Sequence, residues 1–327
     1  MRRAYKFLLR PTAKQPAALG ACLEDHRQLY NAALEERREA WKRSAVSVSY
    51  SQQATQLPEP HPAVTAVYLL GIGHVRVHRH RAVQGTIKMV SVKREGNRWY
   101  VILACDDVAA QPLPATGVAV GIDLGVVSLL TTSDGVHVPN PRPLAAAAAR
   151  LAAAQQSLAR KKRGSHRRRK AAARVGALHG TVRRSRLDHA HKTALALVRD
   201  HDVIVHEGVQ VANMTRRPRP RPAADGAWEP NGAAAKSGLN RSIHDAGWGV
   251  FLGGLRAKAE SAGRVVVEVD HRHTSQTCSR CGHVAAGNRV TQALFRCLAC
   301  GYESHADLNA AQNILRAGLA RQAAEAA

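Results

Sequence analysis

The chain is short of aromatic residues, of long apolar runs and of acids, and each shortage excludes something. Phe, Trp and Tyr make up 4% of its 327 residues, although 45% are hydrophobic. A core must therefore be mostly aliphatic, and the length suggests two or three units. No apolar run approaches the ~20 residues of a membrane span. The opening MRRAYKFLLRPTAKQ has basic residues but no apolar signal core. These absences lead us to expect a cytoplasmic protein without a membrane partner. Cysteine is scarce as well. Four of the six cysteines form two CxxC pairs, while Cys22 and Cys105 stand far apart. That usage fits a reducing compartment better than a disulfide framework.

The shortage of acids says most about partners. Asp and Glu number 24 against 48 Lys and Arg, a formal charge of +24, and residues 135–187 contain no acid at all. Such a chain binds polyanions, and nucleic acid is the natural one, since neutralised phosphates release counterions. Within the acid-free stretch, Arg160, Lys161, Lys162, Arg163, Arg167, Arg168, Arg169 and Lys170 are the candidate nucleic-acid contacts. Charge runs that merely solvate a helix face usually mix signs, and this one does not. HVRVHRHR at 74–81 is a second, weaker candidate.

The pattern along the chain is mixed α/β. RAYKFLL reads as an opening strand, and Thr12 as the cap of a helix running to about Arg43. Around Pro58, Pro60 and Pro62 the pattern breaks, leaving room for one short helix at most. From Gly73 a period of two gives three or four strands with basic outward positions. The reading is a small β-barrel domain of residues 1–10 and 73–115, interrupted by a short helical insertion at 11–72.

After a Pro-rich linker, a buried strand (118–122) ends at Asp123, and two more strands follow. Leu144, Leu151 and Leu158 then fall seven residues apart, predicting a helix with a packing seam. A break is expected near Gly176 or Gly180, with helix resuming to Asp200. A strand at 202–208 carries Glu207. The Pro/Gly-rich segment 215–238 reads as a loop, 240–262 as one helix and 264–270 as a strand.

Cys278, Cys281, Cys297 and Cys300 form two CxxC pairs with fifteen residues between them, the spacing of a four-cysteine zinc site. With four thiolates there is no open position for water, so the zinc is structural. His271, His273, His283 and His305 lie close by, but four cysteines already saturate the ion. Asp307 follows the last cysteine by seven residues. Asp123, Glu207 and Asp307 thus stand where a sheet could gather them, although spacing alone is a weak signal. Each also has a plain structural reading: Asp123 in a turn with Gly125, Glu207 at a strand edge, and Asp307 in a Ser304-x-x-Asp307 capping box.

GIDLGVVSLLTTSDG, VIVHEGVQVANM, LNRSIHDAGWGVFLGGLRAKAESAGR, HTSQTCSRCG and the CxxCGYESHADLNAAQNIL segment closely resemble the TnpB (OrfB-type) proteins of bacterial insertion sequences, relatives of type V CRISPR effectors. The resemblance runs collinearly from about 117 to 316, and YKFLLRPTAKQ and LYNAAL extend it more loosely to the N-terminus. It implies an α/β, RNase H-like (RuvC) nuclease domain of residues 116–270 and 304–327, into which a zinc ribbon (271–303) is inserted. It also implies a Mg2+-dependent, RNA-guided DNA endonuclease encoded by a transposable element. Its partners are then a guide RNA from the same element and double-stranded target DNA. We expect a cytoplasmic, nucleoid-associated protein, a monomer being the expectation for an oligomeric state that the residues leave open. The implied catalytic acids are Asp123, Glu207 and Asp307. Two Mg2+ ions about 4 Å apart suit such a trio, with Asp123 bridging both. One departure stands out: residues 44–72 hold only a remnant of the family's helical recognition region. The alternative is a nucleic-acid-binding protein with little or no cleavage, a regulator or a degenerate transposon copy.

Overall fold

Alternation in RAYKFLLR puts Tyr5, Phe7 and Leu9 on one face of the first strand, and that face is buried. In the computed structural model, which describes residues 1–44, 66–69, 71–222, 228–270 and 272–326, the chain divides into two units, Met1–Ala109 and Ala110–Ala327. The first contains β1 (Arg3–Arg10), α1 (Gln15–Ser44), β2 (Ala66–Leu69), β3 (Gly73–His78), β4 (Thr86–Glu95) and β5 (Arg98–Asp106). Its sheet has the order β2-β3-β1-β5-β4, antiparallel throughout, over a core of Phe7, Val75, Trp99 and Val101. The sheet is a half-barrel, with β2 and β4 as its end strands. β2 was not expected. Ala66–Leu69 is too short to show a period by itself and becomes a strand by pairing with β3. The remnant of the helical insertion expected at 44–72 lies mostly outside the described residues.

The second unit is built on β6 (Ala119–Leu124), β7 (Ser128–Thr132), β8 (His137–Pro139), β9 (Val203–Glu207) and β12 (Val265–Val269), in the order β12-β9-β6-β7-β8. β6, β9 and β12 run parallel, while β6, β7 and β8 form an antiparallel meander. The helices are α2 (Pro143–Ala159), α3 (His166–Asp200), α4 (Val211–Met214), α5 (Ala233–Ala246), α6 (Trp248–Ala262) and α7 (Ala306–Ala326). Val120, Ile122 and Leu124 of β6 share a core with Ala194 and Leu197 of α3 and with Phe251 and Leu255 of α6. Residues in the other phase of the strands face α7. There Gly121 admits no side chain, because a Cβ would stand 2.2 Å from the Ala311 carbonyl oxygen. Gly318 likewise lets α7 lie on Val205. Two glycines, one on each element, bring this helix close to the sheet.

Three departures from the sequence reading have local causes. The helix break falls at 160–165, not at Gly176 or Gly180: Gly164 takes φ 80°, and Ser165 Oγ accepts from the Arg168 N–H at 3.1 Å, restarting the helix. Residues 240–262 form two helices, parted at Gly247 (φ 71°), where a Cβ would meet the Arg186 side chain at 2.5 Å. The 215–238 segment holds a short pair of strands, β10 (Arg221–Pro222) and β11 (Trp228–Glu229), and the start of α5. The first turn of α2 has no cap of its own. Buried Asp245 supplies one, accepting from Leu144 N (2.9 Å) and Ala145 N (3.1 Å) while paired with Arg186 at 2.9 Å.

Candidate metal centre and nucleic-acid interface

The parallel register of β6 and β9 sets Ile122 opposite His206, so Asp123 and Glu207 follow as neighbours at the strand ends. Asp123 is in phase with Gly121, and Glu207 with Val205, so both side chains take the α7 face. Asp307 lies in the first turn of α7. His305 pins that turn: its Nδ1 accepts from the Asp307 N–H at 3.2 Å, and its ring packs edge-on against His137 at 4.7 Å. His137 Nδ1 is 2.9 Å from Thr131 Oγ1, and Thr131 is the cross-strand partner of Asp123.

Asp123 feels the other two acids. Burial, then the charges of Glu207 and Asp307, push the Asp123 carboxyl up to about 8. Arg289 acts in the opposite direction and sits 3.5 Å from Asp307 Oδ1. Gly125 closes the turn beyond β6, where a Cβ would lie 2.9 Å from the Ser128 carbonyl oxygen, and Trp248 Nε1 donates to its carbonyl at 3.2 Å.

The four cysteine sulfurs lie within 4.8 Å of one another. Cys278 and Cys300 are 3.8 Å apart, and Cys281 and Cys297 3.6 Å. A tetrahedron with ~2.3 Å metal–sulfur bonds has edges of about 3.8 Å, so the donor set fits zinc in both chemistry and size. The two halves repeat one knuckle. Gly282 and Gly301 follow the second cysteine of each pair at φ 79° and 69°, and each donates its N–H to the carbonyl of the first. Backbone N–H groups of Cys300 and Ala299 bring the Cys297 thiol down to about 6, whereas hydrogen bonding to the other sulfurs and burial push the neighbouring Cys281 thiol up to about 12.

The cluster and the acidic helix are joined by asparagines. Fully buried Asn309 accepts from Ser279 N and donates to the Thr277 carbonyl, both at 2.8 Å. Asn313 donates to Thr274 and Thr277 carbonyls at 2.9 and 2.7 Å. β13 (Leu294–Arg296) pairs with β14 (Glu303–His305), which runs directly into α7. His271 lies outside the described residues.

α2 and α3 form a hairpin over Ala147, Leu151 and Val182, and the basic stretch occupies its tip. Arg160, Lys162, Arg163, Arg167, Arg169 and Lys170 are exposed and Lys161 partly so. Arg168 is turned inward: its guanidinium donates to the Leu158 and Lys161 carbonyls at 3.1 Å each, closing the turn. Sequence reasoning singled out neither Arg289 nor Asp245. Nothing distinguishes Arg289 among so many arginines, and the partners of Asp245 are 59 to 101 residues away in the chain.

Three family models match in chain order: a helix-turn-helix domain at 1–45, a probable transposase (OrfB of IS605 type) at 89–217, and a Cas12f1-like TNB domain at 248–314. The first of these segments folds here as one strand and one helix. A putative RNA-guided DNA endonuclease, InsQ, from Escherichia coli (strain K12) is 36% identical over 253 residues, covering 77% of this chain. The chain spans 62% of that relative's length. A putative RNA-guided DNA endonuclease from Streptomyces pristinaespiralis is 30% identical over 387 aligned positions, covering 99% of this chain and 91% of the relative. A solved Cas12f1–sgRNA–target DNA complex aligns over 96% of this chain at 14% identity and a TM-score of 0.42. The ordered domain matches define a transposon-associated protein. The chain belongs to the OrfB/TnpB family.

Proposed function

We propose that this chain is an RNA-guided DNA endonuclease whose second unit is an RNase H-like (RuvC) nuclease, with Asp123, Glu207 and Asp307 as its catalytic acids. The observation that carries the reading is the Asp123 carboxyl, held at about 8 by burial and by two neighbouring acids. Charges that hold the Asp123 carboxyl up oppose folding unless a cation offsets them, and hard oxygen donors suit Mg2+. Two such ions, when bound, would activate water and steady the departing oxygen of a phosphodiester. Asp123, whose carboxyl feels the charges of both Glu207 and Asp307, would hold these ions together with them.

The remaining residues position and attract. Arg289 sets a guanidinium beside Asp307, where a strand phosphate would gain charge. The zinc cluster, through Asn309 and Asn313, holds the α7 end that carries Asp307. The basic tip of the α2–α3 hairpin contacts backbone phosphate of guide RNA or of the guide–target duplex, while base pairing reads the sequence. The test is reconstitution with RNA from the protein's own locus and matching DNA bearing a randomised flank. Mg2+-dependent cuts that vanish in Asp123→Ala while binding persists are expected. Binding without cuts in the parent protein contradicts the reading and leaves a guided binder.

A further inference from the structure

β9 ends on two residues that face opposite sides of the sheet. Glu207 faces α7 and the acids. His206 faces α6, is 0% exposed and has no part in the chemistry described so far. Its Nδ1 lies 2.8 Å from the Glu207 backbone oxygen, and its Nε2 lies 3.3 Å from Arg256 Nη2. Arg256 is in turn paired with Glu268 at 2.5 Å.

These partners fix the tautomer. A carbonyl only accepts, so Nδ1 carries the proton, and a guanidinium only donates, so Nε2 presents its lone pair. His206 is therefore a neutral relay between Arg256 and the backbone of Glu207. The Glu207–Gly208 peptide is then held at both poles: its C=O accepts a hydrogen bond from His206 Nδ1–H, and its N–H donates to Val269 O at 2.9 Å. Glu268 also lies close over this peptide, its Oε1 2.9 Å from where a Cβ at Gly208 would stand. The last peptide of the strand, where pairing ordinarily frays, is clamped on the face away from the acids.

We propose that His206, oriented by Arg256, is a positioning residue for Glu207, fixing the peptide from which its carboxylate reaches a divalent cation. The proposal rests on the reading of Glu207 as a metal ligand. A histidine that only fills space makes a different forecast, because its shape alone would then matter. Outer partners that orient a metal ligand typically carry 10–100-fold in metal affinity.

The test uses the zinc-loaded full chain, titrated with Mn2+ by calorimetry, with melting temperature recorded for every variant. Glu207→Gln should lose Mn2+ binding. His206→Leu, which keeps bulk and removes both hydrogen bonds, and Arg256→Met should each weaken it about 10-fold or more. His206→Asn retains a donor near the Nδ1 position and should stay close to the parent. If His206→Leu does not fold, the half-exposed Arg256 answers the same question. Parent-like Mn2+ binding in Arg256→Met and in a folded His206→Leu, with Glu207→Gln impaired, overturns the proposal alone. Equal loss in His206→Asn and His206→Leu, tracking melting temperature, also overturns it. Mn2+ binding indifferent to Glu207→Gln overturns the reading of the acids and this proposal with it.

Discussion

The second unit carries a four-cysteine cluster suited to a metal and three acids that we propose hold another, and the two sets are assembled in opposite ways. The four thiols come from one short segment, 278–300, folded by two CxxCG knuckles that need little beyond themselves. The three carboxylates come from β6, β9 and α7, and only the register of a parallel sheet and the close approach of a helix bring them together. Metal binding on the order of 10 kcal/mol can hold a ribbon that has almost no core. The acid cluster works the other way, since its carboxylates repel and the surrounding fold must hold them. A local site stabilises its segment, whereas a long-range site draws on the stability of the whole unit.

This contrast predicts unequal responses to damage. The largest effect should follow loss of an acid. Asp123→Ala is expected to lower cleavage on the order of 10³-fold, about 4 kcal/mol of barrier, while zinc content by elemental analysis stays at one per chain. Damage to the thiol site should travel further. Cys278→Ser should release zinc, loosen β13–β14 and the Asn309 contacts, and reduce cleavage about 10–100-fold through displacement of Asp307. Full activity in a zinc-free variant would refute that coupling. Arg289→Ala, which empties the space beside Asp307 without touching a thiol or an acid, should cost about 10-fold in single-turnover rate with zinc retained.

The repulsion among the acids has a pH signature. The Asp123 carboxyl titrates near 8 in the metal-free fold, against 3.8 ordinarily. Between those values the folded chain keeps a proton that the unfolded chain has released. Metal-free stability therefore falls as pH rises from about 4 to about 8, and the loss is complete above that. Asp123→Asn should raise the melting temperature of the metal-free protein at pH 8 and change little at pH 4, a gain on the order of 5 kcal/mol at about 1.4 kcal/mol per pKa unit. The smallest expected effect concerns the basic hairpin tip. Removing Arg167, Arg169 and Lys170 together should flatten the salt dependence of duplex binding by about 2.7 in log–log slope. Arg168→Ala should instead destabilise the α2–α3 turn, since its guanidinium is spent on carbonyls.

The same contrast explains what the sequence disclosed. Cys278, Cys281, Cys297 and Cys300 were legible because ligand spacing is a local property. Asp123, Glu207 and Asp307 could be chosen only as acids at element ends, and resemblance to a family did the rest. Strands with a clear period of two were placed well, whereas β2 exists only through its pairing with β3. The break at Gly247 was hidden because a glycine amid good helix formers gives no sign of an arginine crossing above it. Arg289 and Asp245 were invisible for the same reason: their partners are supplied by chain folding, not by neighbours in sequence.

The central claim is that three carboxylates from separate elements form one divalent-cation site, distinct from the thiolate cluster. Anomalous diffraction from crystals of the zinc-loaded protein soaked in Mn2+ tests it most directly. Mn2+ peaks coordinated by Asp123, Glu207 and Asp307, with zinc alone among the four cysteines, are the predicted result. Mn2+ bound elsewhere, with those three carboxylates uncoordinated, would contradict the account.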